Sequence, residues 1–416
     1  MIKKGIKISH QCLCGLGLLC AISLSSCRSE DDLTDTIFDT SIPAVDPNNA
    51  TADFDQWLYD NFVKPYNVEV QYQFNFPASD LSFQLAPADY NRSQLLAHMI
   101  RYLFYDVYTK YAGDEFMKQY GPRIFHFIGS AAYAPTTGTE TLGYASAGVK
   151  ITLINVNNMK FWTEASPYTP IDMELLNKDQ FHTMHHEFSH ILHQTKTYPV
   201  TFGLVTAGTY EPRDWQERDS VESHRLGYIT QYGSSATYED FVETLSCTIT
   251  DTDYRWMTTI IDATCNGGVK EGDKEAIYTL IDSLEIEGLD DPAKAWNNFT
   301  LYRELAQNSE TKKYEETGRI VPSFHQPDAI LNSEETLRFE RVADYTSFRQ
   351  YLDAVEIDNS EKAGGINAIL KKIDIASKWY TEKWGLHMYE LRREVRQRQA
   401  AINDWTRDNV TIYDLQ

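Results

Sequence analysis

Two histidines and a glutamate stand at a spacing that can bind a metal ion next to a general base. They are His186, Glu187 and His190, an H-E-x-x-H run. On a helix, residues four apart lie one turn apart on the same face, so both imidazoles can reach a single zinc ion. The intervening glutamate is turned toward the water that zinc activates, where it can take up a proton. The run therefore predicts a catalytic zinc site.

The residues around the run favour a helix over about 178–196. Asn177 or Asp179 is expected to cap its start and Pro199 to limit its end. The alternative is a buried amphipathic helix whose histidines are incidental. Apolar residues recur near the helical period on both sides of the run: Phe181, Met184, Phe188, Ile191 and Leu192.

A catalytic zinc usually has three protein ligands, so a further donor is needed. Lys196 occupies the position where a metzincin has its third histidine, and His193 lies about 10 Å beyond His186 along the helix. Downstream, Glu239 and Glu243 share one face of a predicted helix. One can bind the metal while the other orients a ligand histidine. The neighbouring histidines are expected to be supporting or structural groups: His182, His185 and His193.

A tyrosine seven residues before a Glu-x-Phe-x-Glu helix, downstream of H-E-F-x-H, resembles the gluzincin arrangement of the lethal-factor-type zinc proteases. The resemblance implies that Glu239 ligates zinc and that the Tyr232 hydroxyl faces the developing oxyanion. Glu243 and Asp240 then support the ligands from behind. Asp240 stands where that family has an aromatic residue, and Tyr232 has the alternative role of a packed loop aromatic.

The whole chain is similar to the substrate-import-associated zinc metallohydrolase lipoproteins, a zinc metallopeptidase family. The similarity rests on the lipoprotein start, residues 185–190, residues 238–243 and the ending around Trp384-Gly385-Leu386. It implies Zn²⁺ as cofactor, a peptide or protein substrate, and association with an outer-membrane import system. The alternative is an import-associated substrate-binding lipoprotein with a structural or vestigial zinc. A third hypothesis is that the protein hydrolyses amides other than peptides.

The N-terminus is typical of a bacterial lipoprotein signal. A basic start precedes an apolar stretch, Cys12–Leu24, which is too short for a membrane span, and small residues then lead to Cys27. Cleavage would remove residues 1–26 and leave Cys27 lipidated. The acidic run after Cys27 is similar to surface-export signals, so we expect an outer-membrane lipoprotein facing outward. The alternative is an ordinary secretory signal.

The composition indicates a folded, acidic protein. The 416 residues include 60 acidic and 38 basic side chains, for a net charge of −22, with 42% hydrophobic residues. Such a charge disfavours nucleic acid, and membrane attachment must come from acyl chains rather than a basic patch. Two cysteines outside the signal and the lipidation position, Cys247 and Cys265, either form a bridge or stay as free thiols.

The order of patterns predicts an α+β fold and resembles that of a zincin. A flexible tether is expected at 27–50. An N-lobe follows at about 51–197, in which a small mixed sheet covers the helix of the H-E-x-x-H run, here called the zinc helix. A mostly helical C-lobe is expected at about 198–416. Strands are expected at 68–76, 123–129 and 149–156, with a loop at 135–148. The strand at 149–156, or the segment just before it, is the candidate edge for pairing with an extended substrate.

In the C-lobe, helices are expected at Ile277–Leu284 and Leu301–Gln307, and in two long patterns from Asn367 to Trp405. An aromatic cluster there is expected to be core, with a sugar-stacking platform as the alternative. Its members are Trp379, Tyr380, Trp384 and Tyr389.

Overall fold

The computed structural model describes residues 45–74, 83–133, 140–141, 143–146, 150–161, 166, 169–264, 268–285, 297–324, 337–360 and 364–415. The chain divides into two units, Met1–Asp46 and Pro47–Gln416, and the second holds all the elements below. The predicted signal peptide and Cys27 lie outside the described residues. Within the described part of the chain, no helix has the length and apolar character needed to cross a membrane.

Fifteen α-helical segments lie in the described residues, and helices and strands mostly follow one another in separate runs, as is typical of an α+β fold. They are α1 Ala52–Leu58, α2 Lys64–Tyr66, α3 Tyr90–Ile100, α4 Asp106–Ala112, α5 Asp114–Tyr120, α6 Met173–Leu176, α7 His182–Thr195, α8 Ser220–Arg225, α9 Thr237–Thr250, α10 Asp253–Thr264, α11 Asp273–Leu284, α12 Phe348–Ala354, α13 Ile366–Trp379, α14 Met388–Ala400 and α15 Ile402–Asn409. Single π-helical turns join α1 to α2, α3 to α4 and α6 to α7, and a fourth, Tyr380–Trp384, extends α13.

A mixed four-stranded sheet forms the N-terminal half. Its strands are β1 Glu69–Gln71, β2 Ile124–Phe127, β5 Gly143–Ser146 and β6 Lys150–Leu153, in the order β1-β2-β6-β5. β1, β2 and β6 run parallel, and β5 pairs antiparallel with β6 at the edge. A separate pair is formed by β3, Ala132–Tyr133, and β4, Glu140–Thr141. The small mixed sheet expected from the sequence is thus confirmed.

Of the two candidates for the edge strand, the segment just before 149–156 is confirmed, because β5 pairs only with β6 in the described part of the sheet. The strand at 149–156 is internal, since β6 is paired on both sides. The loop predicted at 135–148 is wrong for the residues of β5. The Gly residue of β5 carries little strand propensity, and the pairing with β6 supplies what the local sequence does not.

The zinc helix α7 is positioned by a set of cross-strand neighbours in the sheet and by the π turn that joins α3 to α4. Cross-strand partners Val70, Phe125 and Ile151 face the core, and the Phe125 ring lies 6.2 Å from that of Tyr105 on the π turn between α3 and α4. On the same turn, the Phe104 ring lies 5.3 Å from that of Phe188 on α7. Because Phe188 lies between the two histidines of the H-E-x-x-H run, this packing fixes the rotation of α7 about its axis.

The start of the zinc helix differs from the prediction. Asp172 caps it, with its side chain accepting from the Leu175 backbone N–H at 3.0 Å, and the chain then runs through α6 and a π turn into α7. Asn177 instead donates to the Thr250 carbonyl, and Asp179 accepts from Asn155. The two polar residues thus serve tertiary contacts that their local sequence does not reveal.

The C-terminal half surrounds α9 with helices and adds a second sheet. α9 packs on α7, α13 and α14. Three strands of eleven residues, β7 Asn297–Gln307, β8 Tyr314–Phe324 and β9 Leu337–Ser347, form an antiparallel sheet in the order β8-β7-β9. The helix predicted at Leu301–Gln307 is therefore wrong. The helices predicted at 277–284 and 367–405 are present as α11, α13, α14 and α15.

Candidate metal centre

Helices α7 and α9 bring three donor atoms into a nearly equilateral triangle. His186 Nε2 and His190 Nε2 are 3.1 Å apart, and Glu239 Oε2 lies 3.2 Å from each of them. Ligands about 2.0–2.1 Å from a tetrahedral zinc are separated from one another by about 3.3 Å. The triangle therefore fits the three protein ligands of one zinc ion without rearrangement.

Each histidine has its other ring nitrogen occupied. His186 Nδ1 lies 2.6 Å from Glu243 Oε1, and His190 Nδ1 lies 2.9 Å from His193 Nε2. Burial lowers the pKa of His193 to about 4, so its ring is neutral and its Nε2 can accept a hydrogen bond from His190 Nδ1–H. When Nδ1 of both rings donates, the lone pair of each Nε2 points into the triangle. This is the tautomer that a metal-binding imidazole requires.

The site favours positive charge. Burial lowers the pKa of His186, but hydrogen bonds to Glu239 and Glu243 raise it by more, to about 10. Burial raises the pKa of Glu239, but hydrogen bonds to His186 and His190 lower it by more, to about 2. Two buried carboxylates thus stabilise a cation between the rings, which is also the condition for holding a divalent metal.

The two predicted catalytic side chains lie at the same centre. Glu187 is buried on α7 directly after His186. The Tyr232 ring lies 5.8 Å from that of His186, close enough to the triangle for Glu239 to affect the pKa of its hydroxyl. Burial, and then the charge of Glu239, raises the pKa of Tyr232 above its ordinary value, so the hydroxyl keeps its proton.

The Glu243 carboxylate accepts hydrogen bonds from three side chains. Its Oε1 accepts from His182 at 2.9 Å and from His186, while its Oε2 accepts from the Thr230 hydroxyl at 2.6 Å. The Thr230 hydroxyl also accepts from the Gly233 backbone N–H at 3.0 Å, within the turn that carries Tyr232. Glu243 therefore connects a histidine of the triangle to the segment of the tyrosine.

Sequence reasoning missed Thr230 and the contact that Trp215 makes with Tyr232. Thr230 lies thirteen residues before Glu243, a separation without any helical or strand period, so only the folded chain brings them together. The half-buried Trp215 packs its ring edge-on, 5.0 Å from that of Tyr232. A lone tryptophan in an irregular segment carries no signal of this contact.

A second group of potential ligands lies behind the first: His182, Glu243 and Cys247. Glu243 approaches Nε2 of His182, whereas the Cys247 sulfur is 3.8 Å from Nδ1. Since carboxylate and thiol lie at different nitrogens of one ring, a single ion cannot replace both contacts, and we interpret the group as support for Glu243. Cys247 is a buried free thiol, and its suggested bridging partner Cys265 lies outside the described residues.

Asp240 does not support a metal ligand as expected. It follows Glu239 by one residue and therefore points about 100° away around the helix. Its carboxylate lies 2.6 Å from the ammonium of Lys372 and accepts from the Tyr210 hydroxyl at 2.7 Å. Asp240 thus anchors α9 to α13 instead.

The remaining candidates are structural. His185 Nδ1 lies 3.0 Å from the buried Tyr108 hydroxyl. Trp379 and Tyr380 are buried in the core, and the Trp379 indole N–H donates to the carbonyls of Lys196 and Thr197, where the chain leaves α7. The C-terminal aromatic cluster is therefore built around core residues rather than an open sugar-stacking platform.

Comparisons with known proteins identify the family of this chain. Residues 47–286, more than half of the chain, match the family described as "Putative zinc-binding metallo-peptidase". The chain belongs to this family. It is also similar to a solved structure from Bacteroides caccae described in the same terms, with a TM-score of 0.52 and 24% identity over 91% of this chain and 100% of that one. That likeness shows the fold, and no curated protein matches.

Family membership confirms the family resemblance inferred from the sequence, the α+β fold class, and zinc as the cofactor. The matched residues, 47–286, include the H-E-x-x-H run, Tyr232 and the acidic start of α9. They end before β7, so the three-stranded sheet lies beyond the matched region.

Proposed function

We propose that this protein is a surface-anchored metallopeptidase of the gluzincin type, with His186, His190 and Glu239 as its zinc ligands. The observation that carries the proposal is the triangle of donor atoms, 3.1–3.2 Å on each side, next to Glu187. Two neutral nitrogens and one carboxylate are the protein ligands of a catalytic zinc, which leaves a further position for water.

When bound, zinc supplies Lewis acidity that polarises a carbonyl and acidifies water. Glu187 accepts the proton of the water molecule that attacks the scissile carbonyl carbon. The same carboxyl then delivers the proton to the amine nitrogen as the carbon–nitrogen bond breaks. The Tyr232 hydroxyl donates a hydrogen bond to the carbonyl oxygen while negative charge develops there.

The edge strand β5 supports a polypeptide as the substrate. In the described part of the sheet, β5 has a partner on one side only, β6, and both strands pack against α7. An extended peptide can add to such an edge through main-chain hydrogen bonds, which fix its direction without requiring a particular sequence.

The anchoring part of the proposal depends on the sequence of the N-terminus. A basic start, a short apolar stretch and Ser25-Ser26-Cys27 indicate lipid attachment at Cys27. Radiolabelled palmitate should label the protein in cells but not its Cys27→Ala variant, and protease added to intact cells should digest it. Equal labelling of both proteins would contradict the anchor.

The hydrolytic function is tested by digesting a proteome-derived peptide library with and without a zinc chelator. We expect cleavage that the chelator abolishes and added zinc restores. Glu187→Gln should retain zinc but cleave about 10²–10⁴-fold more slowly, because the carboxylate that moves the proton is lost. Near-normal hydrolysis by this variant would contradict the role of Glu187. A zinc-loaded wild type without hydrolysis would favour the import-associated binding protein.

A further inference from the structure

Exposed apolar side chains concentrate in the part of the chain that leads from α7 to α9. Nine large apolar residues are exposed in the described part of the chain, and four of them fall between positions 200 and 238, from the loop after α7 to the first turn of α9. The four are Val200, Leu204, Tyr232 and Tyr238. Exposure of single apolar residues is ordinary, but their concentration beside a reactive centre points to a binding surface.

Two of these rings lie beside different histidines of the triangle. The Tyr232 ring is 5.8 Å from that of His186, and the Tyr238 ring, 50% exposed, is 6.0 Å from that of His190. Trp215 widens the surface on the Tyr232 side, with its ring 5.0 Å away. Aromatic surface is therefore present beside each of the two histidines that hold the metal.

The loop after α7 extends the surface on the Tyr238 side. Phe202 anchors this loop, because it is buried with its ring 5.0 Å from that of Phe241 on α9. Gly203 lies directly on the first turn of α9, where a Cβ atom would be only 2.5 Å from the Thr237 methyl. Leu204, the next residue and 66% exposed, therefore lies near the turn that carries Tyr238.

We propose that these residues form two subsites for apolar side chains on either side of the scissile bond. We call them the apolar rim and define it as Leu204, Trp215, Tyr232 and Tyr238. The inference rests on the proposed peptidase function and names its substrate class: extended polypeptide segments with aromatic or large aliphatic residues next to the cleaved bond. Burial of such a side chain on the rim removes apolar surface of both partners from water.

The overall charge favours the same class of substrate. The chain carries 60 acidic and 38 basic residues, so its field disfavours acidic peptides. The exposed rings of the rim favour contact with apolar side chains. An apolar segment of low negative charge satisfies both conditions.

The experiment is a cleavage profile of the zinc-loaded protein on a proteome-derived peptide library, read by mass spectrometry. The variants are Tyr238→Ser and Trp215→Ser, one for each side of the centre. Tyr254→Ser is the matched control, since Tyr254 is also an exposed tyrosine on a helix, α10, outside the rim. A single apolar contact in a subsite changes kcat/KM by about tenfold or more.

We expect wild type and Tyr254→Ser to cleave next to Phe, Tyr, Leu or Met far more often than the library composition predicts. Tyr238→Ser should lose this preference by about tenfold on one side of the cleaved bond and Trp215→Ser on the other. Cleavage without an apolar preference, or an unchanged profile in both variants, would overturn the inference but leave the peptidase function intact. Absence of any cleavage would instead overturn the proposed function on which it rests.

Discussion

Thr230 connects the two ends of the candidate site. Its hydroxyl donates to Glu243, which bonds His186, and it accepts from the Gly233 N–H in the turn of Tyr232. The position of the tyrosine hydroxyl over the centre thus depends on a residue that we expect to touch neither zinc nor substrate. Thr230 is a positioning residue in this account.

Thr230→Val should lower kcat for peptide hydrolysis by about tenfold, since the loss of two hydrogen bonds at about 1 kcal/mol or less each frees the tyrosine turn. Zinc content should stay at the wild-type value, because none of the three ligands is changed. The measurement is steady-state kinetics beside metal analysis. Thr230→Ser keeps the hydroxyl and should behave like the wild type. A normal kcat in the valine variant would show that Thr230 does not position Tyr232.

The easiest residues to predict were those whose role follows from their spacing within one short segment. His186 and His190 are four apart on one helix, and Glu239 follows from the gluzincin-like spacing to Tyr232. Asp240 was misassigned because the sequence shows that it neighbours Glu239 but not that Lys372, 132 positions later, lies against it. Such partners are set by tertiary packing alone.

Between elements, the buried pair Asp240–Lys372 links α9 to α13. Lys372 is fully buried, with its ammonium 2.6 Å from the carboxylate, 2.9 Å from the Gly227 carbonyl and 4.0 Å from the centre of the Tyr228 ring. Burial raises the pKa of Asp240 and lowers that of Lys372, so each charge depends on the other. The pair holds the helix that carries Glu239.

Lys372→Met should lower the free energy of unfolding by about 3–5 kcal/mol, because it leaves a buried carboxylate without its counter-charge. Lys371→Met changes the exposed neighbour on the same helix and should have little effect. Urea denaturation measures both. Addition of Asp240→Leu to Lys372→Met should restore part of the lost stability. A loss of less than 1 kcal/mol in Lys372→Met would contradict the role of this pair.

The segment 301–307 shows where element prediction failed. Leu301, Arg303, Glu304 and Leu305 are good helix formers, yet they lie in the central strand β7. The strand has partners on both sides, β8 and β9, along most of its length. Local propensity differs by less than about 1 kcal/mol per residue, so pairing with two neighbouring strands overrides it. Neither pairing can be inferred from the sequence of the segment itself.

For the whole molecule, buried neutral histidines lower the stability of the fold at low pH. Burial lowers the pKa of His98 and of His126 to about 4, against 6.5 in the unfolded chain. Between pH 6.5 and 4 the unfolded state therefore binds more protons, so stability falls as the pH falls. Both residues belong to the N-terminal half, where they lie under α1 and in the sheet.

Acidification from pH 7 to pH 5 should thus lower the free energy of unfolding by on the order of 2 kcal/mol per histidine. Denaturant unfolding at the two pH values measures this. In His98→Gln, this decrease between pH 7 and pH 5 should be smaller by the contribution of one histidine. The comparison does not depend on the stability of the variant at pH 7. His387→Gln, at an exposed position, should not change it. An equal loss in wild type and His98→Gln would contradict the prediction.

The fold class could be predicted because periods of two and 3.6 residues separate strands from helices. The order of strands in the sheet could not, because it depends on pairings between segments up to 55 residues apart, such as β1 with β2. The same holds for α9, whose distance from α7 decides whether Glu239 completes the site. The spacing of residues within one helix or strand can be inferred from the sequence. The distance between two such elements can be obtained only from the structure.

The zinc content of the purified protein tests the central claim most directly. Inductively coupled plasma mass spectrometry after gel filtration should give one zinc per chain for the wild type and for Glu390→Ala, an exposed control. Glu239→Ala should lose most of its zinc, because one of three ligands is removed. A wild type without stoichiometric zinc, or a Glu239→Ala protein that retains all of it, would contradict the assignment of His186, His190 and Glu239 as the metal centre.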